Sequence, residues 1–185
     1  MAQVPRFFGY LPRTKFEVRA TEKFRAATAA HEYHPGTADG SRPGVFYVPI
    51  SDLKRYRNPR MENLFLHEAI PGHHFQISLT VENTTLPKFR RYDGNNAYIE
   101  GWALYAESFL KPYLPLDGQM GSLQMRLMRA ARAFLDPMVN LGQITPDAAK
   151  KFLMNEVLLS EPMAKQEADR YSFLSPGQAT SYFYG

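Results

Sequence analysis

The segment LHEAIPGHHF, Leu66–Phe75, constrains the fold more than any other stretch, because a proline–glycine pair interrupts a helical pattern. Upstream, Asn58-Pro59 is a capping residue followed by proline at the first helical position, and MENLFLHEAI continues from it as a helix. Pro71 removes a backbone donor and clashes with the preceding turn, while Gly72 admits geometries closed to other residues. The helix must stop or kink there, and a second helical piece runs from His73 to about Val81. Three of the five histidines, His67, His73 and His74, flank the break.

The rest of the chain reads as mainly α with a small sheet near the N-terminus, an α+β chain in one domain over residues 1–185. Its 185 residues, 44% of them hydrophobic, suffice for a buried core. Thr14–Arg19 and Gly44–Ile50 have the β-branched and aromatic content of strands, separated by the polar loop HPGTADGSRPG. Helices are expected at Asn96–Leu110 and at Gly121–Leu141, the latter interrupted at Pro137. Others are expected from Thr145-Pro146 to about Leu159 and over Glu161–Phe173, and Pro176-Gly177 opens a final element. The net charge of +4 is scattered, and its densest run, Lys54–Arg60, reads as solvated surface, so nucleic acid is not an expected partner. No stretch reaches the length of a membrane span. The first residues are not a signal peptide, and both ends look cut, as in a fragment of a longer chain. Compartment therefore stays open between bacterial cytoplasm and periplasm or cell envelope, as does oligomeric state.

With no cysteine, a bound metal would need imidazole and carboxylate ligands. In H-E-x-x-H helices the two histidines share one face and the Glu points at metal-bound water. Here residue 71 is proline, so the usual second histidine is missing. On an unbroken helix His74 would lie about 20° off the His67 direction but roughly 10 Å along the axis. His73 would be about 120° off face. The break at Pro71-Gly72 is the lesion that could bring either histidine back to His67; otherwise the segment is a loop with surface histidines. Glu100, 27 residues after His73, opens a strong amphipathic helix and is the candidate carboxylate ligand. Glu107, two turns on and on the same face, could orient a ligand histidine.

Together these residues resemble the bacterial domain-of-unknown-function 885 family. The resemblance rests on HEAIPGHHFQ at 67–76, EGWALYAE at 100–107, PGQATSY at 176–182 and DGSRPGVFYV at 39–48. That family is in turn similar to gluzincin zinc peptidases carrying H-E-x-G-H, which implies a zincin-like helical catalytic subdomain. Aligning the Gly-His pair with Gly72-His73 makes His73 the second ligand, and leaves His74 as a supporting residue or alternative ligand. By the same resemblance Tyr182 donates to the oxyanion, with Tyr184 as backup, and Arg170 and Tyr171 bind substrate. Asn140 stands where family members often carry a histidine.

The expectation is a zinc-dependent hydrolase of peptide bonds, carboxypeptidase- or oligopeptidase-like, acting on a peptide or other small amide. His67, His73 and Glu100 hold Zn²⁺, Glu68 is the general base, and GVFYVPI offers a strand edge for an extended substrate. The alternatives are a non-catalytic zinc-stabilised module, or an amidase or esterase with the same metal chemistry.

Overall fold

The computed structural model describes residues 3–27, 29–50 and 61–185, so the basic run Lys54–Arg60 and the Asn58-Pro59 helix opening lie outside the described residues. Three strands, β1 (Phe16–Ala20), β2 (Glu32–His34) and β3 (Gly44–Val48), form a sheet in the order β1-β3-β2. β1 runs parallel to β3, from Phe16 opposite Gly44 to Ala20 opposite Val48. β2 runs antiparallel to β3, with Tyr33 opposite Phe46. β3 is central and buried, which is why GVFYV is continuously apolar rather than alternating.

This arrangement corrects the strand-edge expectation. Both sides of β3 are already paired, so GVFYVPI has no free edge for a substrate strand. The missing piece was β2, whose EYH is too short and polar to signal a strand.

The helices are α1 (Met61–Glu68), α2 (His73–Glu82), α3 (Lys88–Tyr92), α4 (Asn96–Leu110), α5 (Leu116–Asn140), α6 (Pro146–Asn155), α7 (Glu161–Asp169) and α8 (Ser181–Tyr184). Caps set their starts: the Asn95 side chain accepts from the Tyr98 N–H, and Thr145 from that of Ala148. Pro137 does not interrupt α5, which runs through it. α6 ends sooner than expected, at Asn155, and Leu158 beyond it has a positive φ of 57°. α7 passes into a π turn, Arg170–Leu174.

Two apolar cores flank the site. One gathers Met128, Ala131 and Leu135 of α5 with Leu153 of α6 and Ala164 of α7. The other joins Leu66, Ile70, Phe75 and Leu110, with Trp102 and Phe8 packed against it. Between them α1 lies against α4 and α5, and α8 closes over both.

Candidate metal centre

The centre is built by the break between α1 and α2. α1 ends at Glu68, and the chain turns through Ala69–Gly72, where the Ile70–Pro71 peptide is cis. Gly72 sits so close to α1 that a Cβ there would lie 1.8 Å from the His67 carbonyl oxygen and 2.4 Å from that of Leu66. Only glycine permits α2 to start directly over the last turn of α1. The Trp102 indole N–H donates to the Pro71 carbonyl at 2.7 Å, fastening the turn to α4.

The turn brings His67 and His73 edge to face, their ring centroids 4.7 Å apart. Glu100 of α4 reaches both: its Oε2 lies 3.4 Å from His67 Nε2 and 3.4 Å from His73 Nε2. Glu68 is buried beside them, with His67, Glu68 and His73 presenting donor atoms within 4.8 Å of one another. Glu100 meets both imidazoles through a single oxygen.

That oxygen is buried yet makes no hydrogen bond. A tetrahedral ion with ligand bonds of about 2.0–2.1 Å separates its ligand atoms by roughly 3.3 Å. The two 3.4 Å spacings therefore have the size and donor chemistry of a zinc site, and the residues fit the ion.

Glu107 supports this cluster from α4. It accepts from His67 Nδ1 at 2.7 Å and Asn63 Nδ2 at 2.6 Å, and pairs with Arg129 Nη2 at 3.1 Å. A bond at Nδ1 fixes the ring and turns Nε2 toward Glu100. Burial pushes the His67 pKa down, but Glu100 and Glu107 outweigh it and raise it to about 10. Burial likewise opposes charge on Glu100, yet the two imidazoles hold its pKa below the usual carboxylate range. Glu68 goes the other way, raised mainly by burial.

His74 is turned from the cluster. Its Nδ1 bonds the Tyr33 hydroxyl at 2.8 Å, and its ring lies 5.2 Å from that of Phe16, so it ties α2 to the sheet. A Cβ on Gly44 would fall 2.2 Å from that hydroxyl, so glycine is needed there as well. Burial lowers the His74 pKa, which keeps the ring neutral.

Tyr182 of α8 stacks on His67 at 6.0 Å, and its hydroxyl accepts from Arg170 at 3.1 Å. Tyr171 is fully buried and donates to Glu167, so it faces the core rather than a ligand. Tyr184 is 88% exposed and lies outside the cavity wall. Asn140 bonds Asp136 and the Tyr171 carbonyl, a framework role. Asp136 in turn accepts from the N–H groups of Gly177 and Ala179, holding the turn that delivers Tyr182.

A cavity of about 470 Å³ opens beside His67 and Glu68. Its wall includes Arg129 and Arg132, which the sequence reading did not single out. The available signal was their position on the buried stripe of α5, where Met125, Met128, Arg129 and Arg132 recur at helical spacing. A buried arginine needs a partner, and Arg132 has one in a fork onto Glu167 at 2.6 and 2.7 Å.

These features define a mainly helical protein whose broken helix and facing helix assemble a buried His–Glu cluster beside an arginine-lined cavity. The chain belongs to the family described as bacterial protein of unknown function (DUF885), which matches residues 1–185. Two solved structures are similar. One, from Colwellia psychrerythraea and described as a "putative lipoprotein", is 32% identical with a TM-score of 0.89, over 98% of this chain and 32% of that one. The other, from Shewanella oneidensis and described as a "putative lipoprotein of unknown function", shares the fold at 24% identity and a TM-score of 0.71, over 94% of this chain and 33% of that one. The chain thus spans about a third of the length of either. No curated protein matches it.

Proposed function

We propose that this chain carries the catalytic centre of a gluzincin-like, zinc-dependent hydrolase of peptide bonds. His67, His73 and Glu100 are the metal ligands and Glu68 is the general base. One observation carries the reading: a buried, unbonded Glu100 oxygen lies 3.4 Å from the Nε2 atoms of two histidines. Zinc held there supplies a Lewis acid for the scissile carbonyl and activates water near neutral pH.

The chain's own groups account for the remaining work. Glu68 takes the proton of the attacking water and returns it to the leaving amine. Tyr182 accepts from Arg170, which leaves its own proton free to donate to the developing oxyanion. Glu107 keeps His67 oriented throughout. A purely structural zinc site has no use for Glu68, which favours an enzyme over a scaffold.

The Colwellia psychrerythraea protein is described as a "putative lipoprotein", which supports placing this activity in the cell envelope. Among the described residues no helix is long and apolar enough to cross a membrane.

The test pairs metal analysis with a mixed-peptide cleavage screen. His67→Ala is expected to lose zinc, and Glu68→Gln to keep zinc but lose about 10²–10⁴-fold in hydrolysis. Full zinc retention by His67→Ala sinks the ligand assignment, and full activity in Glu68→Gln sinks the base.

A further inference from the structure

Folding leaves α3 without a single buried residue, although Phe89 and Tyr92 are two of its five side chains. Phe89 is 65% exposed and Tyr92 62%, and at i and i+3 they share one outward side of the helix. Polar bonds hold the helix in place instead. Arg91 Nε donates to the Val81 carbonyl at 2.9 Å, and its guanidinium lies 5.3 Å from the centre of the Tyr92 ring. The two aromatic rings are therefore surplus to the fold. A groove of about 620 Å³ opens between α3 and the start of α4, lined by Leu86, Phe89, Arg90 and the exposed Tyr98 among others.

Positive charge collects on the same stretch. Between Thr84 and Asn96 stand Lys88, Arg90 and Arg91 against one carboxylate, Asp93. Lys88 and Arg90 are exposed and make no ion pair among the described residues. Aromatic rings with polar tips and cations on long apolar stems suit the boundary between lipid headgroups and acyl chains. Lysine is depleted at protein interfaces, whereas anionic lipid attracts each nearby Lys or Arg by charge alone.

We propose that α3 and the groove beside it dock the protein on an anionic lipid bilayer. Phe89 and Tyr92 enter the headgroup layer, and Lys88 and Arg90 meet lipid phosphates. Charge complementarity selects this occupant, since an uncharged bilayer leaves both cations unanswered. The inference is independent of the hydrolase reading and agrees with the envelope placement given above.

Co-sedimentation with vesicles tests it, using phosphatidylcholine alone and an equal mixture of phosphatidylcholine and phosphatidylglycerol. The mixed vesicles are expected to bind about tenfold or more tightly than phosphatidylcholine alone, and the binding should weaken as salt rises. Near anionic lipid each Lys or Arg contributes about fivefold, so Lys88→Gln combined with Arg90→Gln should cost about 25-fold. Phe89→Ser combined with Tyr92→Ser should cost about tenfold. All four side chains are exposed, so melting temperature should stay at the wild-type value. Arg126→Gln removes an exposed cation on α5 and should bind like wild type. Failure to bind the mixed vesicles, equal binding to both lipids, or binding untouched by the aromatic substitutions overturns the proposal. An equal loss in Arg126→Gln also overturns it, because diffuse positive charge then explains the attraction. Soluble polyglutamate is the last arm and should displace the protein only weakly. Full displacement at equal charge concentration overturns the bilayer and assigns the patch to an acidic protein partner.

Discussion

Replacing Glu107 by Gln removes a charge and almost no volume, so it separates orientation of His67, the proposed metal ligand, from stability of the fold. Glu107 is 1% exposed and serves three donors at once: His67 at 2.7 Å, Asn63 at 2.6 Å and Arg129 at 3.1 Å. Without the carboxylate, Arg129 stays 3% exposed and loses its ion pair with Glu107, leaving Glu68 as a more distant opposite charge among the described residues. Breaking a buried pair on one side costs about 3–5 kcal/mol. At about 2–4 °C per kcal/mol for a domain of this size, melting should fall by roughly 6–20 °C. His67 meanwhile loses the acceptor that fixes its ring, and zinc affinity should drop about 10–100-fold. Adding Arg129→Met sorts the two effects. The double variant should regain most of the stability, because the unpaired charge is gone, yet keep the weakened zinc affinity. Thermal melts of metal-free protein and competitive zinc titration read the two quantities separately. Zinc affinity within twofold of wild type in Glu107→Gln refutes the orienting role, and stability unimproved by Arg129→Met refutes the charge argument.

Gly72→Ala places a methyl group 1.8 Å from a backbone oxygen, so the α1–α2 turn must shift and carry His73 away from His67. The expected loss is about 3 kcal/mol or more in denaturant melts, together with zinc binding; a variant both stable and zinc-binding refutes the close-approach argument. Glu82 accepts from the N–H groups of Arg13 at 3.0 Å and Thr14 at 2.8 Å. Burial pushes its pKa up, but these donors outweigh burial and hold it below the ordinary 4.5. A depressed carboxylate pKa gives stability that is full above the unfolded value and lost as pH falls through the folded one. Glu82→Gln should therefore cost about 1.5–3 kcal/mol at pH 7. That difference should shrink as pH drops below about 4.5, and a gap that stays constant into acid contradicts the assignment.

The sequence was most informative where local chemistry decides. Caps and periodicity placed α4 at Asn96–Leu110 and the start of α6 at Pro146, because a capping side chain acts within three residues. They failed where the partner is distant. β2 owes its existence to pairing with β3, not to EYH, and α5 runs through Pro137 despite the missing N–H. Spacing alone left His73 and His74 open, because the answer depends on how a two-residue break rewinds the backbone. The structure turns His73 to Glu100 and His74 to Tyr33.

The arginines show the same limit from the other side. Arg129 and Arg132 stand on an apolar helical stripe, and sequence offers no carboxylate close by to explain them. Their partners, Glu107 and Glu167, lie on α4 and α7, and Glu107 also holds His67. Asp136, a turn further along α5, clamps the Gly177–Ala179 turn, and Tyr182 follows on the helix that turn begins. One face of α5 thus neutralises a carboxylate behind His67, lines the cavity and fixes the tyrosine above it. A side chain on this face that fails in folding assays should fail at the site too, because both depend on the same ion pairs.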